Sequence, residues 1–167
     1  MNMFWQFFQD ALFAAIAAIG LAPSSRPPRR AYLFCAVIAA AGHSVRFMLM
    51  HSAGGGWHIV PATAAASVVI GILAVLVSPK TKVPAEAYLY PALLPMIPGV
   101  YAYRTFGALV MCLYNGGEAS FSHYFYLFAS NGLTCFFILL VMVVGATVPI
   151  FMMKKISFQA TRHNSSL

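Results

Sequence analysis

The sequence predicts an all-α, polytopic membrane protein with about five transmembrane helices, the fourth of which is broken at Pro95–Gly99. Of its 167 residues, 61% are hydrophobic and only 8% are charged. A soluble domain usually carries about 25% charged residues, and no soluble fold of this length can bury so much apolar surface. The apolar residues are also grouped into stretches of the length, about 20 residues, that a helix needs to cross a bilayer.

Five apolar stretches, separated by short polar links, have the length of a span. They cover residues 4–21, 31–50, 57–77, 85–114 and 124–153. The third is expected to end before Pro79, because proline interrupts the hydrogen bonds of a helix. Residues 1–153 are predicted to form a single transmembrane domain, and 154–167 a polar cytoplasmic tail. The first stretch is interpreted as a retained span, since no basic residues precede it as they do in a signal peptide.

The fourth stretch contains the most informative segment of the chain, residues 91–104 (PALLPMIPGVYAYR). Its prolines remove backbone donors and clash with the preceding turn, so a smooth helix cannot run through it. Lipid cannot satisfy the freed carbonyls, and such backbone must be shielded by protein or line a wet cavity. We therefore predict two helical pieces joined by irregular backbone at Pro95–Gly99. Broken membrane helices commonly bind the cargo of transporters, which favours a transport function.

The basic residues predict the orientation of the spans. They occupy the first link, the third link and the region after the last span, and the second and fourth links have none: Arg26, Arg29, Arg30; Lys80, Lys82; Lys154, Lys155, Arg162. Because basic links stay in the cytoplasm, the N-terminus is expected outside, in the periplasm, and the C-terminus in the cytoplasm. The net charge of +7 thus indicates topology and no nucleic-acid partner. A four-span arrangement, with one segment lying on the membrane surface, is the alternative.

Four ionisable residues lie within predicted spans, in the same half of the membrane: Asp10, His43, Arg46 and Arg104. His43 and Arg46 are three residues apart and share a helix face. Ionisable groups inside a membrane are functional by default. One acid and two arginines leave a net positive site that suits a carboxylate substrate, because guanidinium binds carboxylate through two hydrogen bonds. The alternative is structural: Asp10 pairs with one arginine, and the other reaches toward water.

Two further polar residues are candidates for the transport path. Asn131 interrupts the fifth span and is expected either to bond to the broken backbone near Pro95 or, more simply, to hold helices together. Tyr101 offers a hydroxyl close to the break. No nucleotide-binding loop, activated nucleophile or metal-ligand cluster is evident, and the three cysteines have no metal-binding spacing. The sequence therefore predicts no cofactor, no metal and no enzymatic activity.

Two segments, GHSVRFMLM (42–50) and PALLPMIPGVYAY (91–103), resemble the threonine/serine exporter family, and more closely its small YjjB-type subunit. The resemblance covers nearly the whole chain. It implies that a larger YjjP-type partner subunit supplies the other half of the exporter. It also implies export of threonine and serine or, for the two-subunit version, of succinate. The positions that it carries over are Gly42, His43, Arg46, Pro95, Pro98, Gly99 and Tyr101.

We therefore expect a subunit of a bacterial inner-membrane exporter for small carboxylates, with succinate as the first choice and threonine or serine as the second. Arg46 and Arg104 would attract the carboxylates, and the break would act as a hinge. Asp10 or His43 would couple proton movement to transport. A non-transporting accessory protein remains the main alternative. A lipid-modifying membrane enzyme is disfavoured because no acid/base pair lies at a predicted interface.

Overall fold

The structure, a computed structural model, describes residues 3–25, 28–52, 55–114 and 117–153. Its helices are α1 (Met3–Leu21), α2 (Tyr32–Met50), α3 (Ile59–Thr81), α4 (Ala85–Leu93), α5 (Gly99–Tyr114) and α6 (Glu118–Met152). Short 3₁₀ segments cover Ala22–Ser25, Arg29–Ala31 and Leu94–Met96. No strand occurs within the described ranges, and the all-α class is confirmed. The predicted tail, 154–167, and Arg26 lie outside the described residues.

The predicted spans and the break in the fourth are also confirmed. Helices α1, α2, α3 and α6 are long and apolar enough to cross a membrane, and α4 with α5 forms one bent pair that has the length and composition of a fifth span. The irregular backbone is shorter than predicted, since only Ile97 and Pro98 lie outside helical turns. Pro98 directly precedes α5, where its missing N–H costs no helical bond. Its carbonyl accepts from the Ala102 N–H at 3.1 Å.

The predicted end of the third span before Pro79 is wrong, because α3 continues through this proline to Thr81. The helix ends instead at Lys82, whose φ of 56° places it in the left-handed region. Side chains stabilise this end. The Thr81 hydroxyl donates to the Val77 carbonyl at 3.1 Å, and the Ser78 hydroxyl donates to the Val83 carbonyl at 2.7 Å. A proline near a helix end costs little when the last carbonyls find such donors.

The chain forms two compact units. The larger, here called the main unit, comprises the described residues of Met1–Met96 and Val141–Leu167; the other, the hairpin unit, is Ile97–Leu140. In the main unit, α1 to α4 pack together with the end of α6 around small residues. Ala14, Ala18, Thr63, Ser67 and Gly71 are all buried, and their four-residue spacing places small side chains on the helix faces that contact other helices.

The hairpin unit contains α5 and residues 118–140 of α6. The two helices touch where Gly132 faces Thr105: a Cβ added to Gly132 would lie 3.3 Å from Thr105 Cγ2. Most large side chains of this unit are exposed, up to 85% for Tyr114. Since α6 has 35 residues and is about 52 Å long, it exceeds the roughly 30 Å of a bilayer core and must tilt or project.

Candidate functional site

A polar cluster of Asp10, His43 and Arg46 lies inside the main unit, where α1 packs against α2. Asp10 Oδ2 is 3.2 Å from His43 Nδ1. Arg46 Nη2 lies 3.3 Å from the same ring nitrogen. The His43 side chain is 6% exposed and that of Asp10 34%, so the ring is enclosed while the carboxylate reaches the surface of the unit. The structure therefore brings together three of the four predicted ionisable residues.

The other ring nitrogen of His43 has no hydrogen bond. Nε2 is buried and finds no partner among the described residues. An unpaired buried polar atom typically lowers the stability of the folded state by about 1–3 kcal/mol. Ring position is thus determined by the Nδ1 side, where both charged neighbours lie.

The backbone around His43 is held by close packing. A side chain at Gly42 would collide with Ile70, so α2 approaches α3 closely beside the cluster. One turn further along α2, Phe47 packs edge-on against Phe7 of α1, with ring centroids 5.9 Å apart. Glycine on one side and the aromatic pair on the other fix the rotation of α2, and with it the direction of the His43 ring.

Arg46 lies close to Asp10 without a direct ion pair, since both contact His43 Nδ1, at 3.3 and 3.2 Å. Among the described residues, no carboxylate oxygen lies within 4.0 Å of its guanidinium, since the ion pair of the cluster joins Asp10 to His43. Arg46 is nevertheless partly buried. A guanidinium inside a membrane span with only an imidazole as partner retains most of its donors for an anion.

The fourth predicted ionisable residue, Arg104, belongs to the hairpin unit. It is exposed and lines a groove of about 520 Å³ together with Tyr103, Tyr124 and Asn131. Arg104 makes no hydrogen bond or ion pair to another described residue. The sequence analysis did not include Tyr124 among the site residues. Its spacing of seven residues from Asn131, about two helical turns, could have indicated that both lie on one face of the helix.

The remaining predicted residues flank the break. Asn131 donates from Nδ2 to the Leu127 carbonyl at 2.7 Å, within its own helix. Pro98 is buried, and Pro95 and Tyr101 are partly buried. The Tyr101 carbonyl accepts from the Thr105 hydroxyl at 2.7 Å, and Gly99 is exposed at the start of α5. In the described ranges, no group of three or more His, Cys, Asp or Glu could hold a metal ion.

Comparison with known proteins identifies relatives of the chain. A family model described as "Threonine/Serine exporter, ThrE" matches residues 10–152. An uncharacterized protein of Haemophilus influenzae is 37% identical over 141 residues, which are 84% of this chain and 45% of that protein. The chain thus spans less than half the length of this relative. No solved structure matches.

Proposed function

Because the chain belongs to the threonine/serine exporter family, we propose that it is a membrane subunit of an exporter of small carboxylates, with succinate as the principal substrate. It acts with a larger YjjP-type subunit in the bacterial inner membrane, with its N-terminus periplasmic and its C-terminus cytoplasmic. The matched relative supports a second component, since more than half of its length has no counterpart in this chain. The distribution of basic links supports the orientation.

The observation that carries the proposal is the guanidinium of Arg46, which lies among membrane helices without a carboxylate partner among the described residues. Guanidinium matches carboxylate geometrically and electrostatically, and such a pair is strongest where water is excluded. A substrate carboxylate would supply the missing anion. Arg104, exposed in the groove of the hairpin unit and without an ion pair among the described residues, is a separate guanidinium that a carboxylate can meet along the transport path.

The acidic residues favour succinate over threonine or serine. An amino acid carries an ammonium group, which needs an anion within the site. The chain has only three acidic residues. Glu86 and Glu118 lie in the first turns of α4 and α6, and Asp10 is already within hydrogen-bond distance of His43. Threonine or serine remains the alternative substrate, and competition with labelled succinate distinguishes the two.

The break between α4 and α5 supports a moving part. Pro95, Pro98 and Gly99 interrupt the span, and Ile97 and Pro98 lie outside regular turns. Interrupted helices present free backbone dipoles to a substrate and concentrate bending in a few residues. We assign the hinge to this segment, with Tyr101 and Asn131 beside the transport path.

The test is succinate export from cells that express the chain with its larger subunit, at matched protein abundance. Arg46→Gln should lower export about 10- to 100-fold, because a hydrogen bond to a charged group contributes about 1.5–3 kcal/mol. Arg104→Gln should lower it less, since that side chain is exposed. Arg29→Gln, which removes an exposed cation outside the spans, is the matched control and should leave export unchanged.

Wild-type export by the Arg46 variant would refute its role in binding, and the same result for Arg104→Gln would remove that residue from the site. If both variants alter the abundance of the partner subunit but not export per complex, the chain is an accessory protein. Export of threonine but not succinate would support the alternative substrate.

A further inference from the structure

His43 Nδ1 has two neighbours that require opposite protonation states. Arg46 Nη2 at 3.3 Å can only donate a proton to it, and a carboxylate oxygen of Asp10 at 3.2 Å can only accept one. A ring nitrogen carries either one lone pair or one hydrogen in the ring plane. Nδ1 can therefore bond to Arg46 or to the Asp10 carboxylate, but not to both.

The protons on the ring select the partner: a ring that carries a proton on Nδ1, whether neutral or doubly protonated, donates to Asp10, and only the neutral ring with its proton on Nε2 accepts from Arg46. With the proton only on Nε2, Nδ1 accepts from Arg46. When a second proton binds at Nδ1, the ring donates to Asp10 and becomes a cation. Arg46 then faces an N–H and a like charge, so its bond to the ring is lost. The nearly equal distances, 3.2 and 3.3 Å, show that both partners are in place without rearrangement of the helices.

We propose that His43 is a proton-dependent switch on Arg46 and that proton and substrate carboxylate occupy this site together. This inference rests on the proposed function. When the proton binds, the hydrogen bond of Nδ1 changes from Arg46 to Asp10. The Arg46 N–H group that is freed then donates to the substrate carboxylate. The proton reaches Nδ1 by way of Asp10, the more exposed member of the cluster, and leaves through Asp10 once the site has opened to the side on which the substrate is released.

No other charged group in the described part of the packed helices competes for this role. Besides α1, the helices packed against α2 are α3 and α4. Their charged residues are Lys80, in the last turn of α3, and Glu86, in the first turn of α4. Cys35 Sγ lies 4.0 Å from the carbonyl of Ala87, the neighbour of Glu86. Since Cys35 and His43 are eight residues apart, this end of α4 is about 12 Å along the axis from the ring.

The remaining titratable neighbours are a histidine and a tyrosine. His51 follows two turns later on α2, is exposed, and bonds through Nδ1 to the Phe47 carbonyl at 2.9 Å. Tyr88 of α4 packs edge-on against Phe34, more than two turns from His43, and donates its hydroxyl to Thr81. Of these two, His51 is the rival for a pH effect near the cluster; His58, exposed at the N-cap of α3, follows seven residues later in the chain.

The switch fixes the sign of the coupling. Because binding of the proton favours binding of the carboxylate, the carboxylate must favour the proton equally. Affinity for the substrate should rise as the pH falls, by at most tenfold per pH unit for a single proton. A site that loads both together moves the proton and the anion in the same direction.

The test is calorimetric titration of succinate into the chain with its larger subunit in lipid nanodiscs. Parallel titrations in two buffers of different ionisation heat give the number of protons taken up. The pH should be one at which succinate is fully ionised. The wild type should take up a fraction of one proton per succinate. His43→Gln should bind with no uptake and with pH-independent affinity, whereas His51→Gln, the matched control, should behave as wild type.

A second readout does not depend on variants. Ring ¹⁵N NMR of histidine-labelled wild type should show that succinate increases the doubly protonated fraction of His43. Tight succinate binding without proton uptake and without this change would overturn the switch and leave the proposed function standing. The same holds if His51→Gln alone abolishes uptake. Absence of binding to the wild type of both succinate and threonine would overturn the proposed function as well.

Discussion

The main unit and the hairpin unit differ in the size of the side chains between their helices. In the main unit, small residues such as Ala18, Ser67 and Gly71 let backbones approach, and His43 is enclosed among them. In the hairpin unit, α5 presents large exposed side chains such as Tyr103, and Arg104 lines an open groove. A polar group is held rigidly only where backbones are close. The proposed switch therefore lies in the closely packed unit, and the groove around Arg104 is open to a ligand in the proposed function.

The largest loss of stability is expected from a substitution that adds a side chain where α3 and α6 are in close contact. A Cβ added to Gly71 would lie 2.6 Å from the backbone oxygen of Ala146, which cannot move without shifting α6. Gly71→Ala should lower the free energy of unfolding by about 1–3 kcal/mol, the usual cost of overpacking. The measurement is thermal unfolding in detergent.

The matched control is Gly20→Ala, because a Cβ at Gly20 meets nothing within 4 Å. This variant should be as stable as the wild type or slightly more stable, since alanine favours a helix over glycine. Equal destabilisation by both substitutions would show that the close approach of α6 is not what makes Gly71 sensitive.

A smaller effect is expected at Ser67, whose hydroxyl contacts two helices. It donates to the Ala64 carbonyl at 2.8 Å and to the Val141 carbonyl of α6 at 3.2 Å. Ser67→Ala should cost about 0.6 kcal/mol of stability, the average for interhelical hydrogen bonds in membranes. Thr134→Ala in the hairpin unit removes a bond within one helix, to Ser130 at 2.8 Å, and should cost less. The reverse order in thermal unfolding would contradict this account.

The smallest effect is expected in the groove of the hairpin unit. Asn131→Ala should reduce succinate export by about two- to fivefold, because a neutral hydrogen bond contributes only about 0.5–1.5 kcal/mol. Its thermal stability should stay close to that of the wild type, since Asn131 bonds within its own helix. If export falls as far as in Arg46→Gln, the groove contributes as much to substrate binding as the cluster.

The spans and the break could be predicted because they depend on neighbours along the chain. Hydropathy over about 20 residues marks each span, and closely spaced prolines mark the interruption. Predictions from neighbours along the chain fail where side chains replace the backbone hydrogen bonds that a proline interrupts. Pro79 was expected to end the third span, but hydroxyl groups at Ser78 and Thr81 and the left-handed Lys82 move the end of α3 beyond it.

The residues of the candidate site could be predicted from the sequence, but which of them bond to each other could not. Three-residue spacing places His43 and Arg46 on one face of α2. The structural alternative paired Asp10 with an arginine, whereas the ion pair among the described residues joins it to His43. Nothing in the spacing indicated that Gly42 would set the approach of α2 to Ile70.

By itself the sequence determined that this chain crosses a membrane, that its fourth span is interrupted, and that an imidazole and a guanidinium share one helix face. Packing of α1 against α2 then brought Asp10 to His43 across 33 residues, so that the ion pair among the described residues joins Asp10 to His43 and not to Arg46. The physical reason is that helices apolar on every side have no hydrophobic stripe to fix their rotation. Steric fit between small residues and aromatic rings fixes it, and that fit exists only once the helices are in contact.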